Sequence, residues 1–64
     1  MIVQFMDTAT GAPIYVNPAY VVTLRPEPAS PEDVSIITVR SGESFRVKGE
    51  HQKVAERLGD PVAA

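Results

Sequence analysis

The chain contains no cysteine and a single histidine, His51. Disulfide staples are therefore excluded, and so is a structural zinc site, which closes around four nitrogen or sulfur ligands. No apolar run approaches the roughly 20 residues of a membrane span, and no basic leader precedes a shorter one. A cytoplasmic protein without membrane insertion is the expectation. A basic excess is missing too: six Lys and Arg against eight Asp and Glu give a formal net charge of -2. Such a balance offers phosphates no overall attraction and argues against a dedicated nucleic-acid binder. Gly42 and Gly49 lack the spacing of a phosphate-cradling loop, and no pattern calls for a cofactor or a metal. What is present, 44% hydrophobic and 22% charged residues in a chain of 64, describes a folded domain over residues 1–60 with 61–64 as a loose tail. A core of this size supplies only about 3–5 kcal/mol, which leaves self-association open as a means of completing it.

Local chemistry divides the domain into short elements. Met1 to Met6, MIVQFM, reads as a strand, and Asp7-Thr8-Ala9-Thr10-Gly11 as a turn. APIYV, Ala12 to Val16, completes a hairpin, with Pro13 at its start where a missing N–H matters least. Asn17-Pro18-Ala19 interrupts the ladder and forces a jog. In the third strand, Tyr20 to Arg25, the two-residue period places Tyr20, Val22 and Leu24 on one face. PEPASPED, Pro26 to Asp33, is a stiff solvated loop rather than a proline-rich ligand, since a connection between strands needs only turn residues and polarity.

VSIITVR and ESFRVK flank Ser41-Gly42, which suggests a two-residue hairpin turn. Arg40 then faces Glu43, Thr38 faces Phe45 and Ile36 faces Val47, so Val34, Ile36, Thr38, Phe45 and Val47 share one face. The opposite face takes Ser35, Ile37, Val39, Ser44, Arg46 and Lys48. From Gly49 the period lengthens: Val54 and Leu58 lie four apart among polar neighbours, an amphipathic helix of two to three turns stopped by Gly59 and Pro61. Too short to persist alone, it must dock Val54 and Leu58 on the apolar sheet face. The expected fold class is α+β: a small antiparallel β-meander or partly open barrel of about five strands with one C-terminal helix.

Pro13-Ile14-Tyr15-Val16-Asn17-Pro18, Ser41-Gly42, Phe45-Arg46-Val47-Lys48 and Val54-Ala55-Glu56-Arg57-Leu58 occur in an order that resembles the FlbD/SwrD type of small bacterial flagellar and swarming proteins. A weaker likeness is to the strand-and-helix half of LytTR-type DNA-binding domains. The first resemblance covers nearly the whole chain and implies the meander-plus-helix architecture and a motility-associated regulator. The matched positions are turn and core positions, so they speak to architecture before activity.

Of the chemistry-bearing side chains, His51 falls on the first helical turn facing the sheet, the place of a boundary residue with its ring partly packed. Ser41 and Ser44 lack the base, orienting acid and oxyanion hole of a nucleophilic site, and so small a core leaves little room for a concave pocket, so no enzyme is expected. Tyr15 and Tyr20 read as packing residues. Ile37 and Val39, on the face left open by the expected register, are the candidate interaction patch, rimmed by Arg46 and Lys48. The first hairpin folding over as a barrel, a second copy, or a different protein compete to cover it. The composite expectation is a small non-enzymatic protein-interaction module whose partner the sequence does not identify. The alternative is a small nucleic-acid-binding regulator using a basic strand face of Arg25, Arg40, Arg46 and Lys48. Against that alternative, Glu27, Glu32, Asp33, Glu43, Glu50 and Glu56 are dispersed among the cations.

Overall fold

Alternation builds the first hairpin. In a computed structural model that describes residues 2–59, strand β1 (Val3–Met6) buries Val3 and Phe5 while Gln4 and Met6 face solvent. It pairs antiparallel with β2 (Pro13–Val16), Val3 opposite Val16 and Phe5 opposite Ile14. Asp7 organises the turn between them: its side chain accepts from the Ala9 N–H at 2.8 Å, and its N–H donates to the Ala12 carbonyl at 2.9 Å. The expected jog is a single 3-10 turn, Pro18–Tyr20, capped by Asn17, whose side-chain oxygen accepts from the Ala19 N–H at 2.9 Å.

Strands β3 (Val21–Pro26), β4 (Val34–Val39) and β5 (Ser44–Lys48) form a second antiparallel sheet in that order. The two sheets meet where Asp7 bridges to Val47 and the Thr8 N–H donates to the Arg46 carbonyl at 2.9 Å. They do not close into a barrel. Helix α1 (His51–Arg57) lies against β3 and β4. The core is Val3, Phe5, Val16, Ile37, Val47 and Val54, with Ile14, Val21, Leu24, Val39, Phe45 and Leu58 packed around it. The tail expected over 61–64, with Pro61 as a helix stop, lies outside the described residues.

Two expectations about phase are corrected. The β4–β5 connection is three residues, Arg40-Ser41-Gly42, with the Val39 N–H donating to the Glu43 carbonyl at 3.0 Å and the Gly42 N–H to the Val39 carbonyl at 2.8 Å. Gly42 at φ 97 supplies the left-handed residue that ends such a loop. Ile37 now faces Phe45 and Ser35 faces Val47. One residue of slip turns one strand over relative to its partner. Ser35, Ile37, Val39, Phe45 and Val47 therefore share the covered face, and Val34, Ile36, Thr38, Ser44, Arg46 and Lys48 the other. Either register gathers four large apolar side chains on one face; the observed one puts Ile37 and Val39, rather than Val34 and Ile36, beside Phe45 and Val47. The Arg40–Glu43 pairing disappears with it.

The second correction is in β3. Between Val21, which faces Val39, and Thr23, which faces Thr38, the chain carries an extra residue, Val22. This bulge resets the alternation. Val21 and Leu24 reach the core while Tyr20 and Val22 are exposed, so Tyr20, Val22 and Leu24 do not share a face.

Helix α1 is held at its middle and its last turn. Val54 is buried and Leu58 packs against the core. In the last turn the Arg57 Nη2 donates to the Gln4 carbonyl at 2.6 Å, with its guanidinium carbon 4.7 Å from the centre of the Phe5 ring. One exposed side chain thus ties the helix to the first sheet. Arg57→Met, which keeps most of the stem, should destabilise the protein by about 1 kcal/mol, and Arg57→Lys by less. Thermal melts of both variants measure this; equal melting temperatures across the three proteins would deny the tether any energetic role.

Candidate functional site

The register decides where each candidate residue falls. Ile37 is 0% exposed, in the centre of the core, and is removed from any contact surface. Val39 shares its face but lies at the end of β4, half-buried and packed against the edge of the core. Arg46 and Lys48 project from the opposite face of the sheet. The four residues do not form one patch.

On that opposite face Ile36 lies between Arg25 and Arg46, its neighbours on the two flanking strands, and the Thr38 and Ser44 hydroxyls meet at 2.9 Å. Arg46 is already engaged: its Nε donates to Glu27 Oε2 at 2.6 Å. The Ala29 N–H, donating to Glu27 at 2.9 Å, and then Arg46 hold the Glu27 carboxyl below its ordinary range. A carboxylate with a depressed folded-state pKa contributes stability that is present above its unfolded value and lost as pH falls through the folded one. The stability advantage of the native protein over Glu27→Gln should accordingly be small but constant at neutral pH and vanish in the acidic carboxylate range. Melting temperatures of the two proteins across that range test it; a gap that widens on acidification reverses the sign.

Hydroxyls and imidazole are scattered. The Ser41 hydroxyl donates to Glu43 at 3.3 Å, Ser44 is occupied by Thr38, and the His51 Nδ1 is buried without a hydrogen-bond partner among the described residues. Those residues contain no group of three His, Cys, Asp or Glu side chains able to hold a metal ion, and no helix long and apolar enough to cross a membrane.

A mostly apolar concavity lies elsewhere. A groove of about 500 Å³ opens between the β1–β2 hairpin and the turn end of the second sheet. Val16 and Phe45 continue into the core from it, Ile2, Tyr15, Tyr20 and Val39 add further apolar surface, and Asn17, Arg40 and Ser41 supply its polar groups. Tyr15 is 67% exposed and Tyr20 53%. Their positions follow from local structure. Tyr15 sits between the inward-facing Ile14 and Val16, and Tyr20 ends the 3-10 turn started by Asn17 and Pro18. The Arg40 N–H donates to the Tyr20 carbonyl at 2.8 Å, which ties the hairpin loop to that turn and keeps both side chains on one groove. The expectation that Tyr15 and Tyr20 are packing residues does not match these exposures. The available signal was period two in PIYV, which turns Tyr15 outward whenever Ile14 and Val16 turn in. Of the four expected contact residues, only Val39 lines this groove. Comparisons with protein-family models, with curated proteins and with solved structures find no significant match to the chain.

Proposed function

We propose that this chain is a small non-enzymatic protein-interaction module which receives a segment of another protein in the groove between its two sheets. The observation that carries this reading is the pair of tyrosines left in water beside an open, mostly apolar concavity in a domain that has few large side chains to spare. Holding such surface exposed forgoes burial worth about 25 cal/mol per Å². Tyrosine suits the role, because it offers a rigid apolar body with a polar tip at small entropic cost. The volume falls in the range that takes a few side chains of a ligand. The likeness to FlbD/SwrD-type proteins makes motility regulators the first partners to try.

Tyr15→Ser/Tyr20→Ser is the test. Both side chains are solvent-facing, so melting should change by little, while capture of a partner from native lysate should fall about tenfold or more. A partner held equally well by the double variant does not use the groove, and the reading fails.

One observation favours a second reading, a small nucleic-acid-binding regulator: Arg25, Arg46 and Lys48 share the sheet face that neither the first hairpin nor the helix covers. Binding through that face should weaken steeply with salt and be lost in Arg25→Glu/Lys48→Glu. No mobility shift with duplex or single-stranded nucleic acid at low salt disposes of it.

A further inference from the structure

The walls of the groove carry one charged side chain, Arg40, and no carboxylate. Every other feature near Arg40 leaves its guanidinium free. The three-residue loop removes the facing position that Glu43 holds in a two-residue turn, and Glu43 takes the Ser41 hydroxyl instead. Among the described residues Arg40 forms no salt bridge and no side-chain hydrogen bond, whereas Arg46 is paired with Glu27 and Arg57 bonds the Gln4 carbonyl. The Arg40 backbone is anchored at the groove, its N–H donating to the Tyr20 carbonyl at 2.8 Å. A planar guanidinium at the mouth of an apolar concavity selects a carboxylate, with which it makes two parallel charge-assisted hydrogen bonds.

Resting on the docking function above, we propose that the groove recognises an acidic-apolar peptide segment: one aliphatic or aromatic side chain seated between Tyr15, Tyr20 and Val39, flanked within two residues by an Asp or Glu that pairs with Arg40. The complementarity is local, for the protein as a whole is acidic and its field does not attract acidic partners from a distance. A second copy fits the site less well. A stable interface between globular protomers takes about 20–30 residues a side, far more than line this groove. Nucleic acid also fits less well, since a single cation in the lining releases few counterions and the chain carries a net charge of -2.

The experiment is selection of a random 12-residue peptide display library on three immobilised proteins: wild type, Arg40→Glu and Tyr20→Ser. Both substituted side chains are exposed, and retained melting temperatures confirm that the variants fold. Wild type should enrich peptides with Asp or Glu within two residues of a large apolar side chain. Arg40→Glu should invert the charge preference to Lys or Arg, and Tyr20→Ser should bind the wild-type pool about tenfold more weakly. Enrichment that depends on Tyr20 but shows no acidic bias and ignores Arg40→Glu overturns the acidic-peptide inference while leaving the docking groove standing. Binding indifferent to Tyr20→Ser, or no enrichment over the matrix, overturns both. Two further arms separate other occupants. Displacement of the peptide by oligothymidylate assigns the groove to nucleic acid, and self-association of wild type that Tyr20→Ser abolishes assigns it to a second copy; either outcome defeats the inference.

Discussion

Ile37→Ala should remove about 3 kcal/mol of stability, most of what a domain of this size possesses, and Ile37→Asp should leave the chain unfolded. Ile37 is wholly buried in contact with the cluster that joins both sheets to the helix, so its truncation leaves a cavity that no single element can collapse to fill. The informative control is its neighbour. Ile36 is the same residue type on the same strand, but it faces away from the core between Arg25 and Arg46. Ile36→Ala should cost about 1 kcal/mol or less. Urea denaturation of the two variants therefore reads the hairpin register directly. With a two-residue turn at Ser41-Gly42 the order reverses, and a larger loss at Ile36 than at Ile37 would refute the three-residue loop.

Gly49→Ala carries the second large effect, about 2–3 kcal/mol. Gly49 follows β5 and delivers the chain into α1 at φ 133, a backbone conformation that side chains with a Cβ rarely adopt. A Cβ there would lie 3.1 Å from Cγ2 of Val54, the residue that seats the helix. The peptide cannot rotate to relieve the crowding, because the Gly49 N–H donates to the Asp33 carbonyl at 2.6 Å and its carbonyl accepts from the buried Ser35 hydroxyl at 2.7 Å. Gly42→Ala separates strain from crowding: φ is again positive, but the added methyl meets nothing within 4 Å. It should cost about 1 kcal/mol. Chemical denaturation followed at 222 nm compares them. If both variants lose the same stability, the contact with Val54 contributes nothing.

The elements themselves were legible in the sequence because each is written in local chemistry. MIVQFM and VSIITV alternate or run apolar, Asn17-Pro18 breaks the ladder, and Val54 and Leu58 repeat at helical spacing. Phase was not local. A Ser-Gly and an Arg-Ser-Gly loop suit the same six residues, and the choice falls to whichever face the hairpin and the helix, distant in sequence, come to cover. The bulge at Val22 has no sequence signature either; it lets Val21 and Leu24 both reach the core. The candidate site was less legible than the fold for the same reason. A patch built on Ile37 assumed a register one residue off, whereas the groove is made by residues from opposite ends of the chain, Ile2 and Tyr15 against Val39 and Phe45. Arg40 changed role with that single residue, from a paired surface cation to the one charge at the mouth of the groove.

The extra residue in β3 has a further effect on the molecule in concentrated solution. β3 is the outermost strand of its sheet, where unpaired backbone groups invite a second chain to add on and begin a fibril. At Val22 those groups fall out of step, the strand coils more tightly, and Pro26 takes away a donor at its far end. Bulge and proline together disfavour edge-to-edge stacking of chains on that flank, where the exposed Val22 side chain would otherwise favour it.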